Sequence, residues 1–208
     1  MAWWKAVRRY GGRAAGGAVL LLTVLPPHAL TAQDTVPAGY GSLRRDQILI
    51  RFAAQEVELH VLPLDEQVIR LLAPDTYRSL RALLDSRRGE IDRAASQAGT
   101  RGPTLVLVTF FGVVPEARFA PEHVSILSRS RLYRPLGMAP LGPGWNRLQL
   151  EASQQAVAIY LFDEGISFRE PVTVTYQQVA NDSWAGAIAV LDRERARVSA
   201  RARVERSP

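Results

Sequence analysis

Histidines 28, 60 and 123 are the side chains best placed by type for proton transfer or metal binding near neutral pH. No two stand four apart, and the chain holds no HExxH, GxSxG, Walker loop or GxGxxG. His60 alternates with Glu58 on the polar side of a strand pattern. His123 follows Glu122 in FAPEHV, a turn into a strand. Both read as solvated surface histidines rather than metal ligands. The chain has no cysteine. This excludes disulfides, Cys-type zinc sites, iron–sulfur clusters, thiol nucleophiles and a lipidated N-terminal Cys. The acidic pairs Asp65–Glu66 and Asp163–Glu164 do not suggest general acid–base work, which needs two carboxylates facing one cleft. Neighbours on a strand point to opposite faces, and Asp163–Glu164–Gly165 reads as a turn. No catalytic residue, metal site or cofactor is expected. Asn181–Asp182–Ser183 matches a glycosylation sequon, which matters only in a eukaryotic secretory pathway.

One stretch has the composition of a binding surface. SRSRLYRPLGMAPLGPGWN, from Ser128, holds three prolines, three glycines and no acid. It carries Arg129, Arg131, Tyr133, Arg134 and Trp145, with Arg147 just beyond. Guanidinium groups and aromatic rings together suit an anionic or glycan ligand, through charge-assisted hydrogen bonds and stacking. These six residues are the candidate ligand-binding set. The competing reading is an ordered loop whose Tyr and Trp close the end of a core, as loops at sandwich ends do.

The N-terminus reads as an address. Residues 1–13 carry Lys5, Arg8, Arg9 and Arg13 and no acid, followed by the apolar run AAGGAVLLLTVL at 14–25, Pro26–Pro27 and Ala32. That is the order of a secretory signal cleaved after Ala32. Twelve helical residues span about 18 Å, short of a hydrocarbon core of about 30 Å. No later segment reaches a spanning length, so no transmembrane segment is expected after cleavage. Removing residues 1–32 takes four positive charges and lowers the net charge from +6 to about +2. A basic partner-seeking surface of the nucleic-acid type is therefore not expected. The expected location is the periplasm or the cell exterior. The Ala-, Arg- and Gly-rich composition fits a bacterial gene of high GC content.

The remaining chain must supply the elements. At 47% hydrophobic residues it is globular rather than disordered. Residues 33–45, without periodicity, read as a flexible leader. Ile48, Ile50 and Phe52, then Val57, Leu59 and Val61, alternate as two strands of a hairpin. Asp65–Leu72 reads as a short helix. Asp75 is expected to cap an amphipathic helix over 75–98, on which Tyr77, Leu80, Leu84, Ile91 and Ala95 recur with helical spacing while Gly89 faces solvent. Thr104–Phe111 and Ala156–Phe162 are continuous apolar runs, as in strands covered on both faces. Val124/Ile126, Leu148/Leu150 and Val172/Val174/Tyr176 add shorter strands, for about seven in all. Residues 181–208 fit either a strand or a helix by spacing; their Ala, Arg and Glu content favours a C-terminal helix with a mildly basic, solvated face.

The order LVLVTFFG, ARFAPEHVSILS, RLYRPLG, a Gly-Pro loop, QAVAIYLF and PVTVTY resembles immunoglobulin-like sandwich domains of exported bacterial proteins. There an F-x-P-x-x-V segment and an apolar strand ending in Phe precede a final V-x-V-x-Y strand. The resemblance covers about a third of the chain and implies an immunoglobulin-like β-sandwich; with the helices read from spacing, the expected chain is mainly β, α+β overall: a β-sandwich over 46–180 with an inserted helix at about 75–98, then a C-terminal helix and tail over 181–208. Those motifs are packing motifs, and fold does not imply function. The absence of site chemistry favours a non-catalytic binding or interaction module of the bacterial cell envelope, with an envelope protein or an anionic or glycan ligand as partner. The alternatives are an envelope hydrolase acting on glycan or ester bonds and a purely structural envelope protein.

Overall fold

The protein is described from a computed structural model covering residues 36–204. The segment 1–32 expected to be a signal, the first residues of the expected leader and the last four residues lie outside the described residues. The chain is a mixed α/β fold with several antiparallel sheets and several helices.

β1 (Ile50–Ala54) and β2 (Val57–Pro63) form the expected hairpin, with Ile50 opposite Val61 and Ala54 opposite Val57. β3 (Thr104–Gly112) pairs with β2 on one side and with β9 (Gln155–Phe162) on the other. β7 (Gly137–Pro140) completes a five-stranded sheet in the order β1-β2-β3-β9-β7. The two continuous apolar runs are thus interior strands, because both of their faces are covered. Val106, Val108 and Phe110 on β3, with Ala158, Tyr160 and Phe162 on β9, are buried on one face. Leu107 and Ile159 are buried on the other.

A second sheet runs β11-β10-β5-β6, from β5 (Val124–Ser128), β6 (Arg131–Tyr133), β10 (Val172–Tyr176) and β11 (Val179–Asn181). Val124, Ile126, Ser128, Tyr133, Val172, Val174 and Tyr176 are its buried positions. They meet the first sheet in an aromatic cluster in which the Phe110 ring lies 5.5 Å from Tyr176 and 4.8 Å from Phe119. The alternate positions Ser125, Leu127, Thr173 and Thr175 form the other face, as period two requires. A two-stranded piece pairs β4 (Ala117–Arg118) with β8 (Gln149–Leu150). Among the described residues eleven strands replace the expected seven, because pieces of two to four residues are too short to show a period. Leu148, expected in a strand with Leu150, is instead exposed and left-handed at φ 53°.

Four α-helices complete the fold among the described residues. α1 (Glu66–Ile69) is capped by Asp65, whose carboxylate accepts from the Gln67 amide at 2.7 Å. The helix expected over 75–98 is two, α2 (Pro74–Ser86) and α3 (Arg88–Gln97), broken at Arg87. Asp75 is not the cap. Pro74 occupies the first turn, where its fixed φ and missing N–H cost nothing, so the helix starts before Asp75. The break lets Leu80 on α2 and Ile91 and Ala95 on α3 all stay buried. Gly89 faces open space, as expected. α4 (Trp184–Val204) is the C-terminal helix, and buries Trp184, Leu191, Glu194, Val198 and Ala202. No helix among the described residues is long and apolar enough to cross a membrane.

The leader is packed where it is described, contrary to its expected freedom. Leu43 donates to the Leu71 carbonyl at 3.0 Å and accepts from the Ala73 amide at 2.9 Å. Ser42 gives its amide and hydroxyl to Glu194 Oε1 at 2.9 and 2.7 Å. Val36 and Leu43 are buried. Composition suggested a loose segment because three of these four contacts depend on backbone groups of the leader, which carry no sequence signature.

Candidate functional site

The six basic and aromatic candidates do not form one surface. Their segment is no loop: it folds into β6, β7 and a 3-10 turn over Pro143–Arg147. Trp145 is buried, with its ring 5.5 Å from Phe119, 6.0 Å from Phe110 and 6.1 Å from Tyr160. Tyr133 is buried too. These two rings close the core rather than offer a platform. Arg129 holds Glu170 through both carboxylate oxygens. Arg131 pairs with Asp163 at 2.8 Å, with its guanidinium 4.7 Å from the centre of the Tyr133 ring. Arg147 is exposed at the end of the 3-10 turn. Arg134 lines a cavity.

That cavity is an open groove of about 1100 Å³ on the outer side of the second sheet. Ser125 of β5 and Thr175 of β10 lie on its floor, with their hydroxyls 2.6 Å apart in a shared hydrogen bond. The turn tips of two hairpins rim it: Gln55 between β1 and β2, and Gln177–Gln178 between β10 and β11. Gln55 and Gln177 hold left-handed backbones at φ 52° and 53°, where a two-residue hairpin turn needs positive φ. Leu132, Pro135 and Met138 make the opposite, apolar end. Glu122, His123 and Arg134 supply its charges, which nearly cancel.

The histidine in this groove is not set up for catalysis. His123 Nε2 lies 3.8 Å from Glu122 Oε1, both side chains are exposed, and the Ser125 hydroxyl is already engaged by Thr175. Tyr176, behind the floor, accepts from the Ala120 amide at 3.0 Å. Burial pushes its hydroxyl up despite that bond, so it stays protonated and is no base at neutral pH. His60 lies elsewhere, half-buried, at 2.7 Å from Glu58 and with its ring 4.5 Å from that of Phe111. Among the described residues no three His, Asp or Glu side chains gather as a metal ion would require. The acidic pairs are structural: Asp65 caps α1, Glu66 binds Arg70, Arg81 and Tyr77, and Asp163 binds Arg131.

The glutamines, hydroxyls and Met138 were not legible as a site, because they meet only through the pairing of β5 with β10 and the approach of separate hairpins. The available signal was the outward position of Ser125 and Thr175 in two alternating strands. The chain matches no protein-family model, and neither a curated protein nor a solved structure matches it.

Proposed function

We propose that the chain is an exported, non-catalytic binding module of the bacterial cell envelope, on an immunoglobulin-like sandwich frame. The groove supports this reading: its polar atoms suit recognition, while its one histidine and its one serine are not hydrogen-bonded to each other. Export is supported by the signal-like order of residues 1–32. The sandwich reading is supported by two antiparallel sheets that meet across Phe110 and Tyr176.

The test is association in the native envelope. Thr175→Arg places a long cation over the groove floor without touching the buried face of β10. Chemical cross-linking in native-host cells should give a discrete adduct with the wild-type chain, lost in Thr175→Arg and kept in the control Arg78→Ala on the exposed side of α2. Adduct formation equal in all three chains would remove the groove from the reading. Hydrolysis of ester or glycan substrates that disappears in His123→Ala would replace the module with an enzyme.

A further inference from the structure

The groove has a free sheet edge along its apolar end. β5 and β6 are joined by the two-residue turn Arg129–Ser130, with Ser128 opposite Arg131, Leu127 opposite Leu132 and Ile126 opposite Tyr133. In such a hairpin the pair that closes the turn exchanges both backbone hydrogen bonds, and the next pair exchanges none. Leu132 is in that second pair, so its N–H and C=O point away from β5. β6 is the last strand of its sheet, and no described residue bonds to the Leu132 backbone from the other side. The Leu132 side chain is 50% exposed and its neighbour Leu127 39%. An open edge beside two exposed leucines is a template for another strand.

The groove's chemistry narrows what that strand belongs to. Primary amides at Gln55, Gln177 and Gln178 both donate and accept, as a peptide backbone does. Among the described residues no Phe, Tyr or Trp ring lines the groove as a platform for a sugar, and its near-zero charge does not draw a polyanion. Arg129 and Arg131 are held by Glu170 and Asp163, whereas Arg134 has no acidic partner among the described residues. Building on the binding reading above, we infer that the groove takes an extended polypeptide segment of a partner. It adds as a strand beside β6, sets an apolar side chain against Leu127 and Leu132, and turns a carboxylate toward Arg134. Strand addition draws its affinity from main-chain hydrogen bonds and its selectivity from alternate side chains. A second copy of this chain is a poor occupant through the same edge, since its own β6 brings Arg131 and Arg134 and no carboxylate.

The test pans phage-displayed random heptapeptides on the chain lacking residues 1–32 and titrates a synthetic form of the enriched sequence. N-acetylglucosamine oligomers are titrated alongside. Saturable peptide binding is expected, with an acidic residue enriched near an apolar one. Leu132→Pro should weaken it at least tenfold, because the outward N–H is lost while an edge strand tolerates the ring. Leu132→Thr, which keeps the backbone, should weaken it less, and Arg134→Gln should flatten its salt dependence. The Leu132 amide of the wild-type chain should become protected from hydrogen exchange when peptide is added, a readout that does not rely on a variant folding. Unchanged exchange at Leu132, or full binding by a folded Leu132→Pro, overturns strand addition. Oligosaccharide binding that Thr175→Arg abolishes, without peptide binding, overturns the polypeptide but keeps the binding module. Binding of neither probe overturns the inference, and the module then stands or falls on the cross-linking result. A dimer broken by Leu132→Pro would make a second copy the occupant and overturn the partner.

Discussion

Tyr160 is fully buried, and its hydroxyl donates to the Pro121 carbonyl at 3.0 Å, tying β9 to the turn before β5. Burial pushes that hydroxyl up, so it remains a donor throughout the accessible pH range. Tyr160→Phe keeps the ring and removes one of two donors to that carbonyl, which the Val124 amide also reaches, so the loss of a single net hydrogen bond costs about 0.5–1.5 kcal/mol. Urea unfolding should show it as a lower midpoint with an unchanged slope. Glu66 behaves differently because its charge is used. Burial alone would raise its carboxyl, but hydrogen bonds from Arg70 and Tyr77, with the charges of Arg70 and Arg81, outweigh it and hold it below the usual range. A carboxyl depressed in the folded state stabilises above its unfolded pKa of about 4.3, and that stabilisation is lost as pH falls through the folded value. The melting temperature of the wild-type chain should therefore fall in acid more steeply than that of Glu66→Gln. Parallel acid limbs would show that the Arg70 and Tyr77 contacts contribute nothing.

Among the elements, hairpin turns carry the strain. Arg129 and Ser130 sit at φ 50° and 62°, a turn that ordinarily takes Asn-Gly. A left-handed backbone costs a non-glycine residue about 1–2 kcal/mol. Ser130→Gly should recover up to ~1 kcal/mol, after the entropy glycine adds to the unfolded chain, and raise the melting temperature. A lower melting temperature would mean that the Ser130 side chain stabilises the turn. This turn also marks where sequence reading stops. β3 and β9 were legible because apolar runs of eight and seven residues have no exposed face to explain away, and α4 because its Ala, Arg and Glu content outweighed an ambiguous spacing. β6 and β7 were not: Leu132 is flanked by arginine and tyrosine, and Pro135 and Pro140 look like loop chemistry. A three-residue edge strand is fixed by its partner, so its evidence lies in β5 and not in itself. Arg134 stood out in sequence as a binding candidate by its type, and it lines the groove, while the amides around it carried no such signal.

At the scale of the whole molecule, the two ends of the described chain hold each other. Glu194 is 1% exposed on α4, and one of its oxygens takes both the amide and the hydroxyl of Ser42. Arg201 donates to the Tyr40 carbonyl at 2.8 Å, and Arg70 to the Val36 carbonyl at 3.0 Å. Between these anchors Gly41 passes so close to α1's exit that an added Cβ would stand 2.3 Å from the Leu71 carbonyl carbon and oxygen. Those are backbone atoms, so no rotamer relieves the clash. Gly41→Ala must therefore either shift the strand-like contact of Leu43 with Leu72 or release the segment. Release would strip both Ser42 donors from Glu194 and leave its carboxylate the longer ion pairs with Arg197 and Arg201 at 3.7 Å, which costs about 1–3 kcal/mol rather than the few tenths of an ordinary surface change. Glu194→Gln keeps the shape but loses the charge-assisted bonds, and Ser42→Ala removes the hydroxyl. If the segment belongs to the same cooperative unit as the sheets, the two substitutions should couple by about 0.5–3 kcal/mol in a double-mutant cycle, and Gly41→Ala should lower a single unfolding transition seen equally by fluorescence and circular dichroism. Additive effects, or a Gly41→Ala chain that melts like wild type, would mean that the segment lies on the fold without being part of it.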